Sequence, residues 1–384
     1  MGATVGTLPI VAWQFQSLSP LAPINNLLVG PLLGAVATPA AVAGFGVAGW
    51  WPSAGALLLT VADTASDLAL RVLGPLDVAP WHPAVGPIGA LLLGLAALNP
   101  RRLWLVVTIY TLVLGLRWPV PNLDGRLVVQ FLAIGQGDSA IATFPDGRVW
   151  LIDAGPSPDD VLEVLRRQGI TRLDRVVLSH PHPDHFGGLE AVLTNLEVTT
   201  LVVPRAPRLA RVRGEQSGSE LAFSGLLALA SRKGTNVSFA ELQSPAVLLH
   251  PTLAWQGPTA DPVNDESVVF RLQHGDRRFL FTGDVEVAGE AELVAQHAGE
   301  LRSDVIKVPH HGSRTSSSAA FVAAVNPAVA VISCGEDNRF RHPNIEALAH
   351  YAGRRVYRTD RDGTVVISTD GTSLEVDLPD GGSE

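Results

Sequence analysis

The hydrophobic pattern changes character once along the chain. Asn25–Trp50 is an uncharged run of 26 residues. As a helix it exceeds the roughly 20 apolar residues that cross a bilayer core. Pro31 and Pro39 lie inside it and predict kinks, which membrane helices tolerate. Between Ser53 and Leu76, Asp63, Asp67 and Arg71 recur at four-residue spacing. That spacing puts them on one face and predicts an amphipathic or interfacial helix. Two further apolar runs, Pro83–Leu98 and Leu103–Leu116, flank the turn Asn99-Pro100-Arg101-Arg102. Its two arginines place the turn on the cytoplasmic side, so the C-terminal domain beyond the last helix lies outside the cytoplasm.

After Pro119-Val120-Pro121 the apolar runs shorten to strand length, bounded by Gly, Asp and Pro. Strands are expected at 126–132, 139–144, 148–153, 175–178, 201–203, 268–273, 278–281, 305–308, 328–333, 355–357, 365–368 and 373–376. Helices are expected at 158–168, 188–195, 219–232, 287–299, 317–325 and 345–352. Many strands with interleaved, segregated helices predict a layered α/β domain over 125–380, preceded by an all-α transmembrane segment over 1–118.

Composition sharpens the division. Apolar residues make up 47% of the 384-residue chain and charged residues only 17%. Residues 1–124 hold four acidic and four basic side chains, so the whole formal charge of −9 falls on the remainder. A net negative domain argues against tight non-specific binding to duplex nucleic acid. Cys334 is the sole cysteine, which excludes an intrachain disulfide and leaves the redox compartment open. The N-terminus lacks the basic start of a cleavable signal.

The chemistry concentrates in Ser179-His180-Pro181-His182-Pro183-Asp184-His185-Phe186-Gly187-Gly188. Three histidines and an aspartate follow a predicted strand within six residues. Imidazole nitrogens and carboxylate oxygens are the ligands that Zn²⁺ and similar ions take. The prolines hold the segment extended, so His180 and His182 point to one side. Asp184 and His185 turn into the next helix and can face a second ion.

This HxHxDH pattern resembles the signature of the metallo-β-lactamase superfamily, which implies an αββα fold. Arg148–Gly155 (RVWLIDAG) is similar to the superfamily strand whose aspartate, here Asp153, orients the metal loop. Phe281-Thr282-Gly283-Asp284 is similar to the strand end whose aspartate bridges two metals. Four further segments narrow the likeness: Lys307-Val308-Pro309-His310-His311-Gly312-Ser313, Arg341-His342-Pro343-Asn344, Phe131–Ser139 with its Gly135-Gln136-Gly137-Asp138, and Asn264-Asp265-Glu266-Ser267. Together they resemble the C-terminal part of ComEC-type competence proteins, which carry single-stranded DNA across the bacterial inner membrane. Thr7-Leu8-Pro9 and Pro23–Leu28 resemble the end of that family's channel domain.

The resemblance implies a membrane-anchored hydrolase with two divalent ions, Zn or Mn, acting as a phosphodiesterase or nuclease during DNA uptake. His180, His182 and His310 are expected on one ion, Asp184, His185 and His342 on the other, with Asp284 between them. Asp184 also steers water. His310 is the expected direct ligand and His311 the substrate-side or supporting residue, with the reverse order open. His342 is a late ligand or a transition-state acid. Ser313 and Arg314 either contact a phosphate or cap the next helix. The superfamily's third-motif histidine has no clear counterpart; Asn264, near its expected position, is expected to bind substrate, and Asp153 and Asp138 to support the ligands. His250 and His274 are expected in structural roles, and Arg205, Arg208, Arg211 and Arg213 in a solvated or nucleic-acid-binding loop.

The expected partners are single-stranded DNA, the lipid bilayer and either a separate channel subunit or a missing N-terminal part. The family's N-terminal soluble domain and most of its channel helices have no counterpart, so a split or truncated form, or a recorded start that is too late, is expected. The expected location is the bacterial inner membrane, multi-pass, with the C-terminal domain extracytoplasmic. Ala133 replaces the aspartate usual before the family's GQGD. Two other functions remain: hydrolysis of a small ester, lactone or lactam, and a catalytically idle DNA-transport module.

Overall fold

The computed structural model describes residues 27–73, 124–204, 218–252, 255 and 261–379. The expected helices at 83–98 and 103–116, the Arg101-Arg102 turn and the 205–213 arginine loop lie outside the described residues. The chain divides into two units, residues 1–118 (grouped with 166–168) and the remainder.

In the first unit the uncharged run is helical over Leu27–Ala48 and has a mean hydropathy of 1.8. By length and composition that helix can cross a membrane. Pro31–Ala37 is π-helical. Pro39 has no N–H to give Ala35, and the ladder shifts so that both the amide and the hydroxyl of Thr38 donate to Leu33. A second helix, Pro52–Leu73, buries Gly55, Ala62, Ala65 and Ala69 and carries the three charges foreseen on it. A Cβ on Gly55 would come within 2.6 Å of Ala48 Cα, so the two helices meet through small residues.

The second unit is built on two sheets. Its strands are β1 (Leu127–Phe131), β2 (Ala140–Thr143), β3 (Val149–Ile152), β4 (Arg172–Val177), β5 (Glu197–Val203), β6 (Asn236–Phe239) and β7 (Ala246–His250), followed by β8 (Val269–His274), β9 (Arg277–Phe281), β10 (Val305–Lys307), β11 (Val329–Ile332), β12 (Arg355–Arg358), β13 (Val365–Thr369) and β14 (Glu375–Asp377). The first sheet runs β14-β13-β1-β2-β3-β4-β5-β6 and the second β12-β11-β10-β9-β8-β7. In each, parallel strands (β3 to β6, β9 to β12) adjoin an antiparallel part.

Strand alternation explains the layering. Ala140, Ala142, Ile152 and Val177 join Phe270, Phe281, Val305 and Val331 in one buried cluster between the sheets. Their neighbours Ile141, Leu151 and Val176 turn outward against Val161, Leu165 and Leu189 of the helices over the first sheet. In the second sheet Leu280, Ile306, Ala330 and Ile332 do the same beneath Leu293, Phe321 and Tyr351. Strands buried on both faces read as unbroken apolar runs, which is why the pattern exposed them. The result is an αββα sandwich. β6 and β7 were not foreseen: β6 is an edge strand with no buried residue, and β7 sits between Pro245 and Pro251.

Candidate metal centre

Segments that follow β3, β4, β9, β10 and β11 all supply the site, at the carboxyl ends of parallel strands where open α/β sheets gather ligands. Asp153 follows β3 at φ 55°, a left-handed backbone uncommon for a side-chain-bearing residue. Its carboxylate accepts from the Ser179 amide (2.7 Å), the Ser179 hydroxyl (2.8 Å) and His185 Nδ1 (2.9 Å). It therefore ties β3 to the start of the metal loop. Gly137 lies against that loop: a Cβ there would collide with the Asp184 carbonyl. The Asp138 amide donates to the same carbonyl.

Asp184, His185, Asp284 and His311 bring one ligand atom each to within 4.8 Å of one another. His185 Nε2 is 3.3 Å from Asp284 Oδ2, and His311 Nε2 is 3.3 Å from the same oxygen and 3.4 Å from Asp184 Oδ2. Both imidazoles have their outer nitrogen occupied. His185 Nδ1 donates to Asp153, and His311 Nδ1 donates to the Ser333 carbonyl at 2.9 Å. In the neutral tautomer each then turns its Nε2 lone pair into the cluster, the arrangement of metal-ligating histidines held by second partners. Both Nε2 atoms are buried and without a hydrogen-bond partner. These donors fit a divalent ion.

His180 and His182 form the neighbouring corner. His180 Nε2 and His182 Nδ1 face each other at 3.0 Å, and His180 Nδ1 lies 3.1 Å from the Ser179 hydroxyl. His180 is fully buried, His182 only half-buried.

The adjacent histidines separate sharply. Residues 310, 311 and 312 are successively left-handed, at φ 46°, 53° and 79°. That turn sends His311 inward and leaves His310 on the rim, with Nε2 3.9 Å from Asp284 and Nδ1 3.1 Å from Glu286. His342 sits farther out, its ring centre 5.7 Å from that of His310 and 6.4 Å from that of His311. Asn264 is buried and hydrogen-bonds Glu286. Ser313 is buried and pairs with the Thr315 hydroxyl, Arg314 is exposed, and Ser318 caps the next helix. His250 donates to the Asp265 carbonyl.

Electrostatics favour added positive charge. Burial opposes ionisation of Asp284, yet His311, His185 and Lys307 hold it well below the usual carboxylate range. Asp184 is likewise lowered to about 2, against its burial, by His311 and His185. Burial also opposes the protonated forms of His185 and His311, but Asp284 and the other carboxylates raise both well above an ordinary imidazole. Burial depresses His180 strongly, and burial with His310 and His311 brings His342 to about 4. Burial raises Asp153 above its usual value.

Lys307 has a place in the site that residue patterns did not assign to it. Its buried ammonium pairs with Asp138, lies 3.4 Å from Asp284 Oδ1 and donates to the Gly283 carbonyl at 3.0 Å. A lysine directly before a Val-Pro-His-His turn, at the end of an apolar strand, was the available signal. Ser179 and Glu286 likewise gain roles only in the folded chain.

Comparison with known proteins finds two family models along the chain. The family model for the metallo-beta-lactamase superfamily matches residues 134–336, and that for competence protein matches residues 1–120. ComE operon protein 3 of Bacillus subtilis (strain 168) is 29% identical over 400 residues, covering 94% of this chain and 50% of that protein. Competence protein ComA of Neisseria gonorrhoeae is 30% identical over 392 residues, covering 94% and 50%. The chain thus spans about half the length of the curated relatives it matches. Among solved structures, a diphosphatase of the PhnP family is 15% identical, with a TM-score of 0.37, covering 63% of this chain and 98% of that one.

Proposed function

The chain belongs to the metallo-beta-lactamase superfamily, and we propose that it acts as a membrane-anchored, two-metal phosphodiesterase or nuclease in DNA uptake. In this reading residues 1–118 form the membrane segment and 125–380 the hydrolase. The observation that carries it is the convergence of Asp184, His185, Asp284 and His311, with both imidazoles oriented from behind by fixed acceptors. His180 and His182 would hold one ion, Asp184, His185 and His311 the other, and Asp284 both. Zn and Mn suit this mixed nitrogen and oxygen set. Bound ions supply Lewis-acid stabilisation of developing charge and an activated water at neutral pH.

The chain's own groups set the stage for that chemistry. Asp153 and the Ser333 carbonyl fix the two imidazole tautomers. Lys307 balances Asp138 and Asp284 where burial keeps solvent from screening them. Asp184, half-buried at the mouth, can orient a water. His342, neutral at physiological pH because its pKa falls to about 4, accepts a hydrogen bond from substrate or water rather than donating a proton. His310, on the rim beside Glu286, faces the entering phosphate.

Single-stranded DNA entering through the bilayer-anchored segment fits the competence-protein match over residues 1–120. With the positive-inside assignment of Arg101-Arg102, the hydrolase domain faces outside the inner membrane. The test is a side-by-side assay of the full chain in detergent with Mn²⁺ or Zn²⁺, using labelled single strand, duplex and a chromogenic lactam. Cleavage of the single strand is expected. Turnover of the lactam alone would replace this reading with a small-molecule hydrolase, and no turnover with metals bound would leave a transport module.

A further inference from the structure

Beside the candidate metal centre, the segment between β11 and the helix Ile345–His350 forms a rigid turn. The Arg341 amide donates to the Asn338 carbonyl. The Asn338 side chain accepts from the His342 amide at 2.9 Å and donates to the His342 and Gly335 carbonyls at 2.7 and 2.9 Å. Asn338 therefore holds the turn, and Arg339 and Phe340 are left at its tip. Phe340 is 50% exposed and belongs to none of the three buried clusters.

The side chains at this tip are layered. The Arg339 guanidinium lies 4.6 Å from the Phe340 ring centre. Phe340 and His342 are nearly parallel, 12° apart, with centres 5.7 Å apart. With both neighbours in place the Phe340 side chain is still half-exposed. His342 leads directly to His310 and His311, so the stack ends at the candidate metal site. An open, mostly polar cleft of about 750 Å³ runs alongside, where Arg339, Arg341, Arg358 and Arg361 face Glu336, Asp337 and Asp360. Arg358 is paired with Asp360, while Arg339, Arg341 and Arg361 are exposed. A flat aromatic and guanidinium surface next to a cleft with three exposed arginines matches how single strands are held, bases by stacking and backbone by cations.

We infer that the Arg339–Phe340–His342 layer is a base-stacking platform that seats a nucleotide of a single strand, with its phosphate backbone in the adjoining arginine cleft. This rests on the nucleic-acid reading above and adds where selectivity for unpaired bases arises: a base inside a duplex is already stacked and cannot settle on Phe340. With Arg358 paired to Asp360, the exposed Arg339, Arg341 and Arg361 are the cleft's groups for a phosphate, and Glu336 and Asp337 limit its affinity.

Binding without turnover tests it. The full chain in detergent and excess EDTA is titrated with fluorescent oligo(dT) of about 12 nucleotides and with an abasic deoxyribose-phosphate oligomer of equal length. Wild type should bind oligo(dT) about tenfold more tightly than the abasic strand, the order contributed by one stacked base. Phe340→Ala should bring oligo(dT) to within about twofold of the abasic value, and Phe340→Tyr should preserve the preference. An unchanged melting temperature for Phe340→Ala keeps the comparison clean, since Asn338 holds the turn. Equal affinity for both strands in wild type, or a preference untouched by Phe340→Ala, overturns the platform. Single-strand cleavage without base dependence would spare the hydrolase reading and sink this one. Base dependence with no cleavage by the metal-loaded chain would do the reverse.

Discussion

The two flanks of the candidate metal centre are held in different ways. Asp184, His185, Asp284 and His311 converge in a buried pocket, and each imidazole is fixed from behind by an acceptor on a neighbouring strand end. His180 and His182 lean on each other, His182 half-buried, while His310 and His342 stand at the rim. The buried flank is preorganised by the sheets. The open flank is completed by whatever binds there. Tight metal retention is expected from the first and exchange or substrate contact from the second.

Substitutions across this divide should rank accordingly. Asp284→Asn, which removes the carboxylate shared by both flanks, should lower metal affinity and hydrolytic rate by at least about a hundredfold while the fold survives. Isothermal titration with Zn²⁺ beside a rate assay checks it, and an active variant would move the shared ligand elsewhere. His311→Ala should come close to that effect, whereas His310→Ala should cost about tenfold or less in metal affinity. Equal losses would erase the distinction between the flanks. Asp153→Asn, which touches His185 rather than an ion, should cost about 10- to 100-fold in metal affinity by loosening the His185 tautomer.

Lys307→Met probes the pocket's charge balance. It removes the ammonium paired with buried Asp138 and leaves only His185 and His311 to offset that carboxylate; removing one partner of a buried pair costs about 3–5 kcal/mol. Thermal melting reads this directly, and added Zn²⁺ should recover part of the loss.

The smallest expected effect is on pH. The raised folded-state values of His185 and His311 give stability that is full below about pH 6.5 and is lost as pH rises through those values. His180 and His342 are depressed and act only below that window. In EDTA the melting temperature should therefore fall as pH rises from about 6.5 to 8.5. Metal binding displaces the same protons, so with Zn²⁺ the slope should reverse. Parallel slopes in both buffers would place the metals away from His185 and His311.

The ease of reading this chain comes from where its signals are local. Central strands, buried on both faces, announced themselves as apolar runs, and Ser179–His185 packs its ligand types within one segment. β6 is an edge strand with no buried residue and so a weak apolar pattern, and β7 is a short apolar run closed in by Pro245 and Pro251. Which of His310 and His311 turns inward is decided by three left-handed residues in succession, and residue identity alone does not encode that choice. Lys307 looked like an ordinary strand-end cation, since its partners Asp138 and Asp284 lie far away in sequence.

Metal stoichiometry is the most direct test of the central claim. The full chain, purified in detergent and dialysed against Zn²⁺ or Mn²⁺, should hold about two ions by elemental analysis. Asp284→Asn should retain fewer, and His310→Ala should stay near the wild-type value. A wild-type chain that binds no divalent metal under these conditions would contradict the account.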